Sequence, residues 1–405
     1  MEWARFRKYA RRMRELRDYG TLDTLPLEVY SVMQLHTINE PLLPNLTTLE
    51  LMKIQESLIP FLPLFLSPRI TTISFGTFPL NLPKSVVVSV ITNLLTPCPN
   101  LRDINLWSLP RDPMITTAVS RMFFATNQNA LQWFQVNSPL TKEASEAIYK
   151  SRSLCGLSVV IEKGTSIPSV SLPNLEFLRV ECEDGSDGLR LLHRATFGEL
   201  ESINFEIEYG PINDFLEAFK EAALSSSIQN TLSTIYLFTE GPWNPNYSSL
   251  LPFTRLVHLH IIPPCDYSCS RVDDDIVVVL SQAMPELESL SLGNRPCHRF
   301  TGGVTTNGLM ALARNCPNLS SLCLHFQVAN LSDPPTGLET TRNAGGSASW
   351  TGCALTELEV GEIPIPEKSA SIVALTLLRI FPQIKTIDFD NDGWIKVQDM
   401  ICRSK

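Results

Sequence analysis

The sequence predicts an α/β fold in which short parallel strands alternate with helices along a solenoid that fills most of the 405-residue chain. Three observations predict it. The pattern L-x-x-L-x-L, with Ile, Val or Phe as substitutes, recurs thirteen times. The copies open at Leu46, Ile70, Leu101, Leu131, Leu154, Leu175, Leu200, Leu232, Leu256, Leu287, Leu319, Leu355 and Ile384, a mean spacing of about 28 residues. Several copies share a lead dipeptide, Pro44-Asn45, Pro99-Asn100, Pro173-Asn174 and Pro317-Asn318, with Pro285-Glu286 close to it. Segments of helical pattern follow the strands, as at Ser85–Leu95, Ile212–Leu224, Asp273–Ala283 and Thr305–Arg314.

Each element follows from these patterns. Within x-L-x-L-x the two apolar side chains face one way and the variable ones the other, which is the period of a short strand. No single unit can bury its leucines, so neighbours must stack into a continuous core. The expected architecture is a leucine-rich-repeat horseshoe, with a concave parallel β-sheet and helices on the convex side. Residues 44–405 form about 13 units, of which the Leu154 unit is the weakest: it lacks the proline lead and lies 23 and 21 residues from its neighbours. Residues 1–43 read as a capping helix region, because Trp3, Phe6, Ala10, Met13 and Leu16 fall at helical spacing among seven cations and a solenoid end must be covered. The stretch 330–352, rich in Pro, Gly, Ser and Thr, reads as a mobile insert.

Composition narrows the function. With 33 Lys and Arg against 42 Asp and Glu, the net charge is −9, opposite in sign to that of a generic nucleic-acid binder. The charged N-terminus has no apolar core of a signal peptide, and the most apolar stretch, Leu58 to Leu66, holds Pro60 and Pro63 and is half a bilayer span. The expectation is an intracellular protein, cytoplasmic or nuclear, with no membrane and no nucleic-acid partner. Its ten cysteines then read as reduced, mostly buried thiols, and the sequons at Asn45, Asn246, Asn318 and Asn330 carry little meaning.

Candidate site residues are those at positions three, five and seven of each unit, which project from the leucine face. Trp107, Trp133, Phe177, Arg179, Tyr236, Phe238, His258 and His260 are the candidates for partner binding, since aromatics exposed on a rigid face are natural hot spots. Towards the C-terminus the same positions become acidic (Glu357, Glu359, Asp388, Asp390), which suits a basic partner. Asp388-x-Asp390-x-Asp392-Gly393, with Asp399, imitates a calcium loop, but Pro382 breaks the incoming helix, so it reads as a solvated turn. Cys265, Cys269, Cys297 and His298 have zinc-ligand chemistry, yet buried or loop thiols are commoner. No nucleophile elbow, phosphate loop, dinucleotide fingerprint or H-E-x-x-H motif is present, and a pair such as Cys323/His325 is an accident of the repeat. The reading is no catalytic residues, no metal and no cofactor.

A closer likeness adds to this. TTNGLMALARNCPNL (305–319) resembles the cysteine-containing repeats of F-box/leucine-rich-repeat proteins, in which a small buried Cys closes the helix-to-strand turn; Cys98 in PCPNL matches it too. The segments 272–297, 302–327, 352–361 and 374–389 are similar to the C-terminal half of F-box-like proteins of mushroom-forming fungi, and EWARFRKYARRMRELRDYG resembles the segment that follows their F-box. Leu25-Pro26-Leu27-Glu28-Val29 imitates the start of an F-box, but about 17 residues before Leu46 are too few for its three helices. The resemblance implies the substrate-receptor half of a cullin ubiquitin ligase subunit recognising an unknown protein, with a Skp-type adaptor docking only through an F-box upstream. The alternative is a free-standing repeat scaffold or decoy with no ubiquitin link.

Overall fold

The computed structural model describes residues 2–20, 22, 25–37, 40–79, 81–94, 97–106, 108–209, 212–240, 245–262, 272–293, 303–326, 328–331, 353–361, 363–389 and 391–404. It is an α/β fold of two compact units: residues 1–181 with 194–199, and residues 182–193 with 200–405.

The first unit carries strands β1 (Glu15–Asp18), β2 (Thr48–Lys53), β3 (Thr72–Thr77), β4 (Asp103–Leu106), β5 (Trp133–Pro139) and β6 (Gly156–Ile161). They lie side by side in chain order and in parallel, followed by β8 (Phe177–Asp184), with β7 (Val170–Leu172) and β9 (Ala195–Phe197) forming a separate parallel pair. Its helices are α1 (Glu2–Ala10), α2 (Leu27–His36), α3 (Lys84–Asn93), α4 (Pro113–Ala125) and α5 (Lys142–Ile148). In the second unit β10 (Ser202–Tyr209), β11 (Thr234–Thr239), β12 (His258–Ile262), β13 (Ser289–Leu292), β14 (Ser321–Leu324), β15 (Glu357–Gly361) and β16 (Thr386–Phe389) run parallel in the same succession. Between them stand α6 (Gly185–Arg194), α7 (Ile212–Ser226), α8 (Asp274–Ala283), α9 (Thr306–Asn315) and α10 (Ala370–Ile380), with α11 (Gly393–Arg403) last. Within each unit this succession is compatible with a solenoid.

The repeat dictates the core. All three apolar positions of every L-x-x-L-x-L copy are buried, from Leu46, Leu49 and Leu51 to Ile384 and Ile387, save the last, Phe389, which is half-buried. The Leu154 unit, weakest by sequence, forms its strand like the others. Three of the helices begin at a side-chain cap that the sequence supplies: Asp112 accepts from the Met114 N–H with Pro113 in the first turn, Asp273 from Ile276, and Thr305 from Asn307. Where Pro60 and Pro63 interrupt the apolar run, the chain takes a 3-10 path over Glu56–Phe65 and buries Leu58, Leu62, Leu64 and Phe65. Among the described residues no helix is long and apolar enough to cross a membrane.

The shared lead dipeptide has a mechanical reason. Asn45, Asn100 and Asn174 each donate from Nδ2 to a carbonyl of the preceding unit, at Arg11 (2.7 Å), Pro68 (2.9 Å) and Arg152 (2.7 Å). The small buried cysteines reach the same way, Cys316 towards the carbonyls of Ser281 and Met284 and Cys353 towards those of Cys316 and Leu319. Most strand entries repeat one clamp, in which two successive N–H groups share one carbonyl at the entry of the neighbouring strand. Gln132 and Trp133 donate to Arg102, and Val257 and His258 donate to Ser233.

The N-terminal region differs from its sequence reading. Helical spacing continues to Leu16, but α1 ends at Ala10, and Glu15–Asp18 pairs in parallel with β2 as an added strand with no leucine pattern of its own. The F-box-like residues Leu25–Val29 lie at the start of the ten-residue α2, with Pro26 at its N-cap and Tyr30 buried.

Candidate functional site

The strand register arranges the outward side chains in rows. In the first unit Asp103 stands beside Trp133 and Trp133 beside Gly156, while the Phe177 N–H bonds the Cys155 carbonyl and so brings Phe177 alongside Gly156. Gly156 decides what this row can present. A Cβ there would lie 1.9 Å from Trp133 Cε3, so the indole lies across the glycine towards Phe177. The two rings meet with centroids 5.9 Å apart at 33°. Beyond them on β8 is Arg179, half-buried, and Arg111 forms an ion pair with Glu181. Asp103 accepts from the Thr72 hydroxyl at 2.8 Å through one carboxylate oxygen, while the other is buried without a hydrogen-bond partner.

In the second unit the row is Asn204, Tyr236, His260 and Ser291, with Thr234, His258 and Ser289 in the row before it. Tyr236 stacks on His260 (5.8 Å, 27°), and His258 is 6.5 Å from His260. The Ser289 hydroxyl and His260 Nε2 are 3.2 Å apart. Burial, and then the neighbouring His258, hold the His260 imidazole below its ordinary value, so it stays neutral at neutral pH and acts as a polar aromatic surface. Phe238 stands between Glu206 and Ile262, half-buried.

The candidate residues thus fall into two groups. Trp133, Phe177 and Arg179 lie in one unit, and Tyr236, Phe238, His258 and His260 in the other, all half-buried on the strand face opposite the core. Trp107 lies outside the described residues, as do Cys265, Cys269, Cys297, His298, Asp390 and almost all of the 330–352 stretch. Glu357 and Asp388 are exposed, as their strand positions predict. Among the described residues no group of His, Cys, Asp or Glu is arranged to hold a metal. Burial pushes the Cys98 thiol up to about 11 and that of Cys316 to about 12, values at which a thiol is a packing group and not a nucleophile.

Sequence reasoning missed Gly156, because a glycine is silent in a hydrophobic pattern, although its place at the third position of the Leu154 unit was the available signal. The Arg111–Glu181 pair, seventy positions apart, left no local signal. No family model matches this chain, and no curated protein matches its sequence.

Proposed function

We propose that the chain is a protein–protein recognition module of the leucine-rich-repeat horseshoe class, working through the strand face and resembling the substrate-receptor half of an F-box protein of a cullin ubiquitin ligase. The observation that carries the reading is that half-buried aromatics stand together on that face and not at random. Trp133 with Phe177, and Tyr236 with His260, are held on backbone that the repeat makes rigid. Such platforms offer large contact area at little cost in side-chain entropy, which is what binding hot spots require. Position for position, the face presents rings, hydroxyls and carboxylates to a partner surface.

The test is capture from a fungal lysate with the chain as bait, in parallel with Trp133→Ala, Tyr236→Ala and His260→Ala variants. A partner retained by the parent and lost by the variants is the expected result. Equal capture by all four would refute the strand face as the contact. A Skp-type adaptor and cullin among the retained proteins would support the ligase reading, and a partner without them the free-standing scaffold.

A further inference from the structure

A second site stands at the start of the chain, away from the strand face. Residues 2–20 hold seven cations, Arg5, Arg7, Lys8, Arg11, Arg12, Arg14 and Arg17, against three acids, in a chain whose net charge is −9. Two of those acids are already engaged, Glu15 with Arg17 at 3.2 Å and Asp18 with the N–H groups of Gly20 and Leu22. Arg5, Lys8 and Arg12 have no ion-pair partner among the described residues.

Beside helix α1 lies a shallow cleft lined by Trp3, Phe6, Arg7, Arg11, His36, Glu40 and Pro41, among others. Trp3 forms its aromatic wall, stacked on Phe6 (4.9 Å, 16°) and on His36 (4.5 Å, 27°). The Trp3 Nε1–H is buried with no hydrogen-bond partner. Arg7 makes one long bond, 3.4 Å, to the His36 carbonyl, and its guanidinium lies 5.9 Å from the Trp3 ring. Arg11 is 3.6 Å from Glu40, with both side chains more than half exposed. A guanidinium has five N–H donors in a fork that fits a carboxylate, so most of this capacity is unused.

We propose that this surface docks an acidic linear segment of a partner protein: aspartate or glutamate carboxylates are held by the exposed Arg7 and Arg11, and an adjoining apolar side chain lies against Phe6 and Pro41. The charge asymmetry and the unused guanidinium donors call for an anionic acceptor. The apolar and aromatic walls call for an organic body next to it. The exposed cations Arg5, Lys8 and Arg12 continue this surface along the helix and call for a chain longer than a small carboxylate. The proposal is independent of the strand-face reading, because none of its residues belongs to the repeat strands.

The test is fluorescence anisotropy with the full chain and a fluorescein-labelled dodecapeptide of Asp and Glu with a central Leu, beside its Asn/Gln counterpart. Saturable binding of the acidic peptide is expected, weakened by salt and absent for the neutral one. Arg7→Gln combined with Arg11→Gln should weaken it by about tenfold or more, because charge-assisted hydrogen bonds are lost. Trp133→Ala and His260→Ala should leave it unchanged. The arginines are exposed, and circular dichroism of each variant verifies the fold. The proposal is overturned by absence of acidic-peptide binding, by equal binding of the neutral peptide, by indifference to the arginine changes, or by tighter binding to phosphatidylserine vesicles than to the peptide.

Discussion

Gly156→Ala tests the strand-face geometry at its least obvious point. The new Cβ would sit 1.9 Å from Trp133 Cε3, whereas carbon atoms prefer separations of about 3.5–4.0 Å, so the indole must retreat by roughly 1.6 Å or swing away. Overpacking of this kind costs about 1–3 kcal/mol, and the low end applies because Trp133 is half-exposed and can move. Loss of the contact with Phe177 adds about 0.5–1.5 kcal/mol, for a total of about 2 kcal/mol. Gly156 does not have a positive φ, so alanine is otherwise acceptable there and would by itself stabilise by about 0.4–1 kcal/mol through the unfolded chain. The sign should therefore reverse when Trp133 is already alanine, a coupling of about 2 kcal/mol. Equilibrium urea unfolding of the four proteins of the cycle, followed by far-ultraviolet circular dichroism, measures it. An equal loss from Gly156→Ala with and without Trp133 would refute the account of the platform.

Other consequences are as direct. Gly76→Ala meets the Met52 backbone carbonyl at 2.0 Å, which cannot move aside as an exposed ring can, so it should cost about 3 kcal/mol or more by the same unfolding assay. Asp274 accepts from the Thr305 N–H (2.7 Å), the Thr305 hydroxyl and the Gly308 N–H (3.1 Å), so Asp274→Ala should cost about 2–3 kcal/mol and fray the start of α9, visible in amide hydrogen exchange. Because His260 is held below its ordinary 6.5, the unfolded chain takes up that proton first as pH falls. The stability linked to His260 is full above about pH 6.5 and declines on acidification below it, so His260→Gln should lose less of its urea midpoint between pH 7.5 and 5.5 than the parent. In native protein at pH 8, iodoacetamide should modify the exposed Cys402 and spare the buried Cys98, Cys316 and Cys353 until urea is added, as read by peptide mass spectrometry.

What could be read from the sequence was whatever the repeat repeats. Leu, Ile and Phe at three fixed positions announced both the strand and the face it buries, and predicted α3, α7, α8 and α9 to within two residues at each end. Elements that borrow their pattern from elsewhere were not legible. The strand β1, with sequence ELRD, has almost no apolar alternation and exists because β2 offers it an edge, whereas its own residues spell helix. The small β7–β9 pair joins Val170–Leu172 to Ala195–Phe197, segments too short to signal alone. Strand alternation could name Trp133, Phe177, Tyr236 and His260 as outward. Which of them stack depended on lateral register and on the missing side chain at Gly156.

The links between repeats have a direction in time. At the clamps Asn100 to Pro68, Asn174 to Arg152, Cys316 to Ser281 and Cys353 to Cys316, the acceptor belongs to the earlier repeat and the donor to the later one. On a ribosome the carbonyl is therefore synthesised, folded and waiting when the asparagine or cysteine that needs it emerges, and an acceptor left waiting is satisfied by water at little cost. A nascent chain halted between repeats ends on hydrated carbonyls. A fragment begun partway along would instead open on thiol and amide donors whose acceptors were never made, so the order of synthesis is also the order in which each repeat finds its partner ready.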